Sequence, residues 1–231
     1  MLTLAFDTSS RTAAVAVLND DTILYDSVIN TGLNHSETLL SEIDYALRQV
    51  RIKISDINLF ACTIGPGSFT GLRIGVSTLK GLMMATGTPA TGVSSLAAVA
   101  LNPGITSKTI CSMIDSGRGQ VYVSQFRYDD KNILQQISEE KAVSPTEIIN
   151  STDGNTLFVG DGVIKYAGIV NNIQSTEVFI ASDLQHHIRA SAVGILGRRK
   201  FAENDLLDAT TLVPVYLRSA DAVPHKSLFE I

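Results

Sequence analysis

Three runs rich in β-branched and other apolar residues, 2–6, 12–18 and 22–29, open the chain, and only the polar turns DTSSR and NDD separate them. Runs of that length joined by short polar turns predict an antiparallel meander of three strands. The period then changes. Leu39, Leu40, Ile43, Leu47 and Val50 recur at helical intervals, and Asn34 stands three residues ahead of Glu37, the spacing of a capped helix start. This predicts an amphipathic helix over 35–50. The apolar run 57–63 reads as a fourth strand. It feeds Gly65-Pro66-Gly67-Ser68, after which apolar residues return at helical spacing over 69–86. The order βββαβα predicts a mixed sheet with helices packed on it, an α/β class of fold.

The pattern breaks at Asn102-Pro103-Gly104, which predicts two units, 1–104 and 105–231. The second opens with an apolar strand over 109–114, the turn Asp115-Ser116-Gly117-Arg118 and an alternating strand over 120–128. Phe6-Asp7-Thr8-Ser9-Ser10-Arg11 before 12–18 has the same plan: strand, Asp, small polar residues, Arg, strand. The two copies lie roughly 108 residues apart, a spacing that suggests two similar halves rather than a solenoid, although so short a match also arises by chance. A strand over 156–159, a long helix over 184–204 with Ile188, Ala192, Ile195 and Leu196 on one face, and an irregular segment over 214–231 complete the reading.

A chain of 231 residues with 45% hydrophobic and 18% charged residues buries a real core, which excludes disorder and fibre. The most apolar stretch, 79–93, is broken by Lys80, three glycines and Pro89, short of the roughly 20 residues a membrane span needs. The first ten residues carry no basic leader and reach Asp7 at once, so no secretory signal is expected. Cys62 and Cys111 lie in strand-like apolar surroundings and read as two buried thiols, which points to a reducing cytoplasm. A net charge of −5 supplies no strong positive field to hold phosphate backbones unaided, so stand-alone nucleic-acid binding is disfavoured. His35, His186, His187 and His225 include no pair at i and i+4, so no histidine metal site is expected.

Two places carry candidate chemistry. Asp7 enters a tight turn among hydroxyls and exposed N–H groups, where donors such as Ser9 would take a phosphate and the carboxylate a metal or a water. The same residues also make an ordinary Asx turn, and Asp115 repeats the choice. At Gly65-Pro66-Gly67-Ser68-Phe69-Thr70, Ser68 and Thr70 stand at a helix N-terminus that favours an anion, or serve simply as caps. Neither G-x-x-x-x-G-K-[ST] nor G-x-G-x-x-G is present. In the helix that follows, Gly71, Gly75 and Thr78 share one side, while Leu72, Val76, Leu79 and Met83 form a stripe on another. Each interior glycine costs up to about 1 kcal/mol, so something packs closely there, either this chain's own fold or a partner.

The block GPGSFTGLRIGVSTLKGL over 65–82 resembles the bacterial TsaB (YeaZ) family, with LAFDTSS, NHSETLL and PVYLR as supporting matches across the whole chain. The resemblance implies an actin/Hsp70-like fold of duplicated domains with mixed five-stranded sheets. It also implies an accessory role in making threonylcarbamoyladenosine in tRNA, with no cofactor and no metal. The related catalytic subunit, TsaD, has an H-x-x-x-H pair where this chain has Ser95 and Val99, which argues against catalysis here. The implied partners are TsaD as a heterodimer, the ATPase TsaE on that heterodimer, tRNA through the complex, and a second copy of the chain when it is alone. The family's two N-terminal helices form the interface. Mapped here, that implies Leu39, Leu40, Ile43 and Leu47 on one helix and Gly71, Leu72, Gly75, Val76, Leu79 and Met83 on the other. The rival expectation is an actin-like enzyme acting alone, a small-molecule kinase using Asp7 and the glycine turn, or a peptidase.

Overall fold

The computed structural model describes residues 1–30, 35–150, 154–173 and 178–218. The expected cap at Asn34, His225 and the end of the irregular C-terminal segment lie outside them. The first sheet is built from β1 (Leu2–Asp7), β2 (Ala13–Asn19), β3 (Thr22–Ile29), β4 (Leu59–Gly65) and β5 (Ala90–Ser94), in the order β3-β2-β1-β4-β5. Its first three strands are antiparallel, and β4 and β5 add in parallel. Helices α1 (His35–Gln49) and α2 (Phe69–Thr86) provide the crossings, and α3 (Ser95–Leu101) leads from β5 towards the second sheet.

The second sheet repeats this plan. β6 (Thr109–Gly117), β7 (Gln120–Tyr128) and β8 (Leu134–Gln136) are antiparallel, and β10 (Thr156–Val159) and β11 (Val178–Ile180) follow β6 in parallel, giving β11-β10-β6-β7-β8. The duplication suggested by one short turn therefore extends to the whole topology. The second sheet is six-stranded, not five-stranded, because β9 (Lys141–Val143) also pairs with β7. Short helices α4 (Pro145–Asn150), α5 (Asp161–Lys165) and α6 (Ala167–Val170) surround it.

Period-two alternation decides what each face of the first sheet meets. Leu4, Phe6, Val15, Val17 and Phe60 point to α1 and α2, and pack with Leu39, Ile43, Ala46, Leu47, Val76 and Leu79. Ala5, Ala14, Ala16 and Ala61 point the other way, into a core shared with α3, the second sheet and α7 (Ala190–Ala202). Those small side chains let α7 come close. A Cβ on Gly194 would stand 2.5 Å from Leu18 Cδ1, and one on Gly197 would stand 2.5 Å from Ala61 Cβ.

Two expectations are corrected here. The helix expected over 184–204 begins only at Ala190, after a single 3-10 turn at Asp183–Gln185. The segment between bends at His186 and His187 and is extended at Arg189, with His186 and Ile188 both drawn into the core, at 3% and 1% exposure. The start of α7 is fixed from far away: Asp26 on β3 accepts from Ser191 N at 3.3 Å, Ser191 Oγ at 2.6 Å and Arg189 Nε at 3.0 Å. That supplies an acceptor to an otherwise orphaned helix N–H. The boundary at residue 104 separates the sheets but not the packing. α7 lies on the first sheet, Leu207 N donates to Ala90 O at 2.9 Å, Leu212 joins the α1/α2 core, and Val215 N donates to Ile64 O at 2.7 Å. The chain's last described stretch thus completes its first half.

Replacing Gly197 by Val forces a branched side chain against Ala61 and Thr91. The expected loss is about 1–3 kcal/mol, as for other overpacked cores, read as a lower urea midpoint at unchanged slope.

Candidate functional site

The two Asp turns face each other across a cleft between the halves. Asp7 Oδ1 accepts from Ser9 N at 3.0 Å, from Ser9 Oγ at 2.6 Å and from Thr63 Oγ1. The carboxylate is fully buried, and burial raises its pKa against the pull of those hydrogen bonds. Its Oδ2 has no hydrogen-bond partner among the described residues.

The glycine turn is pressed onto this one. Ser68 N donates to Ser9 O at 2.7 Å, and Thr8 Oγ1 donates to Gly71 O at 2.7 Å. A Cβ on Gly67 would lie 2.2 Å from Ser9 O, and one on Gly71 would lie 1.9 Å from Thr8 O, so only glycine fits either position. Ser68 Oγ then caps α2, accepting from Gly71 N at 3.2 Å. The N–H groups of Ser9, Ser68 and Gly71 are therefore all spent inside the chain. Ser9, Ser68 and Thr70 line the cleft and Asp7 does not, so the four expected phosphate-site residues are not brought together as one.

The opposite wall rests on Asp115. Its Oδ1 accepts from Gly117 N at 3.0 Å and its Oδ2 from Lys165 Nζ at 2.7 Å, while its own N–H donates to Asp161 Oδ1 at 2.9 Å. Burial raises the pKa of the Asp161 carboxyl. Asp161 is held in place by Gly160, whose φ of +117° and approach to Met113 O admit no side chain, and by His186. The His186 ring accepts from Gly160 N at Nδ1 (3.1 Å) and bonds Ala181 O through Nε2 (3.0 Å), which fixes the neutral Nε2–H tautomer.

Two adjoining hollows of about 810 and 790 Å³ make up the cleft and share Arg11, His35, Ser68, Thr70, Asp115 and Asp161. The larger is also lined by Arg73, Arg118 and Arg218. At its mouth the Arg73 guanidinium sits 3.9 Å from the Phe69 ring centroid, and Tyr216 lies 4.7 Å from Phe69 at a 31° tilt. Sequence reasoning missed this cluster. The arginine following each Asp turn was a visible signal for half of it, whereas nothing local marks Tyr216.

The expected helical interface needs correction. Leu39, Ile43, Leu47, Leu72, Val76 and Leu79 are 0–8% exposed and fill the chain's own core. Gly71 and Gly75 answer to Thr8 and Cys62, not to a partner. Of the ten residues Leu40 is exposed, at 58%, and Met83 is half-buried. The outer side of the two-helix layer carries Leu40, Tyr45 and Met84. Ser95 and Val99 are both buried on α3, and Val99 packs in the core shared by the two sheets. Both cysteines are buried, and burial raises the thiol of Cys62 well above its ordinary value and that of Cys111 to about 12. Among the described residues no three His, Cys, Asp or Glu side chains gather as a metal site would require.

Two sheets of like topology, each presenting an Asp turn to a common cleft, define a duplicated actin-like protein. The (R)-2-hydroxyglutaryl-CoA dehydratase component A of Acidaminococcus fermentans shares the fold, with a TM-score of 0.50 at 14% identity over 87% of this chain and 99% of that one. A Pseudomonas aeruginosa structure described as an uncharacterized protein with similarity to peptidase YEAZ is much nearer. Its TM-score is 0.78 at 25% identity, covering 94% of this chain and 99% of that one. The family model for TsaD, tRNA N6-adenosine threonylcarbamoyltransferase, matches residues 30–224. The Bacillus subtilis (strain 168) tRNA threonylcarbamoyladenosine biosynthesis protein TsaB is 32% identical over 225 residues, 96% of each chain. The Paracoccus denitrificans tRNA N6-adenosine threonylcarbamoyltransferase is 34% identical across only 46% of this chain and 34% of its own. The chain belongs to the TsaB family.

His186 gives stability a definite pH dependence. Burial lowers its pKa below the ordinary value near 6.5, so the unfolded chain binds the proton more readily. Its contribution is complete above about pH 6.5 and declines as pH falls below that value. Thermal melts between pH 7.5 and 5.5 should show a falling Tm that flattens in His186→Gln over the same window.

Proposed function

We propose that this chain acts in tRNA threonylcarbamoyladenosine biosynthesis as a non-catalytic subunit, working by contact with a TsaD-type catalytic subunit. The observation that carries this reading is the 32% identity to TsaB of Bacillus subtilis over 96% of both chains. The sealed Asp7, the burial of Ser95 and Val99, and two thiols held protonated by burial weigh against a kinase or peptidase working alone. TsaE joining the heterodimer, tRNA held by the whole complex, and self-pairing of the free chain belong to the same reading. So does a cytoplasmic location, where two buried free thiols persist. No helix among the described residues is long and apolar enough to cross a membrane.

The partner meets the outer side of α1 and α2. Leu40 and Met84, 58% and 80% exposed, are its apolar anchors, and the buried stripe beneath supports them.

The test is size-exclusion chromatography of the chain with and without a TsaD-type subunit, followed by reconstitution of threonylcarbamoyl transfer with and without this chain. A joint peak and transfer that requires both chains are expected. ATP turnover or proteolysis by this chain alone would overturn the reading. Leu40→Asp with Met84→Asp should weaken pairing by about 2 kcal/mol or more by calorimetry at an unchanged melting temperature. Val76→Asp should instead unfold the chain, because it buries an unpaired charge.

A further inference from the structure

The chain carries a net charge of −5, yet four of its ten arginines, Arg11, Arg73, Arg118 and Arg218, line one cleft. Both halves contribute. Arg11 and Arg118 follow the two Asp turns, and Arg218 reaches across to within 3.5 Å of Ser116 O. Opposite them, Asp115 is already paired with Lys165, and Asp161 accepts from the Asp115 N–H. The cleft is therefore a local cationic site on an acidic molecule, and that is where a polyanion settles.

The mouth of the same cleft is flat and aromatic. Arg73 lies over Phe69, and its Nε donates to Tyr216 Oη at 3.3 Å, so guanidinium and rings form one preassembled cluster. Arg73 and Tyr216 are both exposed. Aromatic rings and guanidinium planes are the surfaces on which unpaired bases stack, and arginine side chains are what hold the intervening phosphates. The backbone N–H groups of Ser9, Ser68 and Gly71 are already given to acceptors of this chain. Phosphate recognition consequently falls to side chains spread along the rim. Two adjoining hollows of about 810 and 790 Å³, with six lining residues in common, open beneath that rim.

We propose that this cleft holds a single-stranded segment of RNA, its bases stacked on the Arg73–Phe69–Tyr216 cluster and its phosphates on Arg11 and Arg218. The inference rests on the reading of the chain as a tRNA-modification subunit, to which it adds direct contact with the nucleic acid.

The experiment is fluorescence anisotropy of the full chain with a labelled single-stranded oligoribonucleotide, a duplex RNA of equal length, and ATP as competitor. The single strand should bind more tightly than the duplex, and ATP should not displace it. Arg11→Ala with Arg218→Ala should weaken binding at least tenfold and reduce the salt slope by roughly 1.4, about 0.7 for each single-strand phosphate no longer neutralised. Tyr216→Ala should weaken binding about tenfold with the salt slope unchanged, as expected when only stacking is removed. Lys131→Ala, in an exposed turn elsewhere, should change nothing, and melting curves of all variants should match that of the wild type. Equal affinity for duplex, unaltered binding by the arginine and tyrosine variants, or displacement by ATP would each overturn the proposal. A chain that pairs with its catalytic subunit and supports transfer but binds no RNA sinks this proposal alone. One that binds RNA without pairing or supporting transfer sinks the proposed function alone.

Discussion

The contact on which the rest of the structure turns is backbone against backbone: Gly67 and Gly71 lying on the carbonyls of Ser9 and Thr8. Once those glycines are seated, the start of α2 is pinned to the end of β1, and the helix can only run back along the sheet with Leu72, Val76 and Leu79 beneath it. The same contact takes the Ser68 amide, while those of Ser9 and Gly71 go to Asp7 and Ser68 beside it. A motif that reads as an anion loop thereby becomes a structural joint, because its donors found acceptors inside the chain first. Asp7, which would serve a ligand if exposed, instead ties the joint to Thr63 on β4. The loss of a deep phosphate site and the rigidity of the α1/α2 layer have one cause.

That layer explains how a surface for another protein is assembled. The large apolar residues of β1, β2 and β4 face the two helices and fix their positions, so the outward residues are presented on a stiff platform. The alanine-rich opposite face has a different task. It lets α7 approach closely enough that glycine is required at two of its positions, and it joins the two halves through one continuous core. A mixed sheet covered on both faces in this way has its strand-end turns gathered at one edge, where the cleft opens.

Much of this was legible in the sequence. The strands over 2–6, 12–18 and 22–29, both N-terminal helices and the repeated Asp turn all announce themselves through local periodicity and turn chemistry, and each lies within a residue or two of its position in the structure. What could not be read is what depends on distant partners. α7 starts at Ala190 because Asp26 and a buried His186 decide it, and neither is near in sequence. An apolar stripe on a helix reports that the face is buried but not by whom. Thus Val76 and Leu79 read equally as interface or core, and the glycines of α2 as an invitation to a partner, when the neighbour was Thr8 of the same chain. The cleft's arginines come from four separate segments, and only the fold brings them to one rim.

The return of α7 to the first sheet has a consequence for how the molecule comes into being. Synthesis delivers β1 to β5 early, with α1 and α2 ready to cover one side, yet the alanine side stays wet until residues 190–202 have emerged. A newborn chain therefore carries an unfinished sheet through most of its translation, and closes it only near the end. Every strand of the second sheet precedes that helix, so a ribosome that stalls before it releases a molecule whose first half is still incomplete.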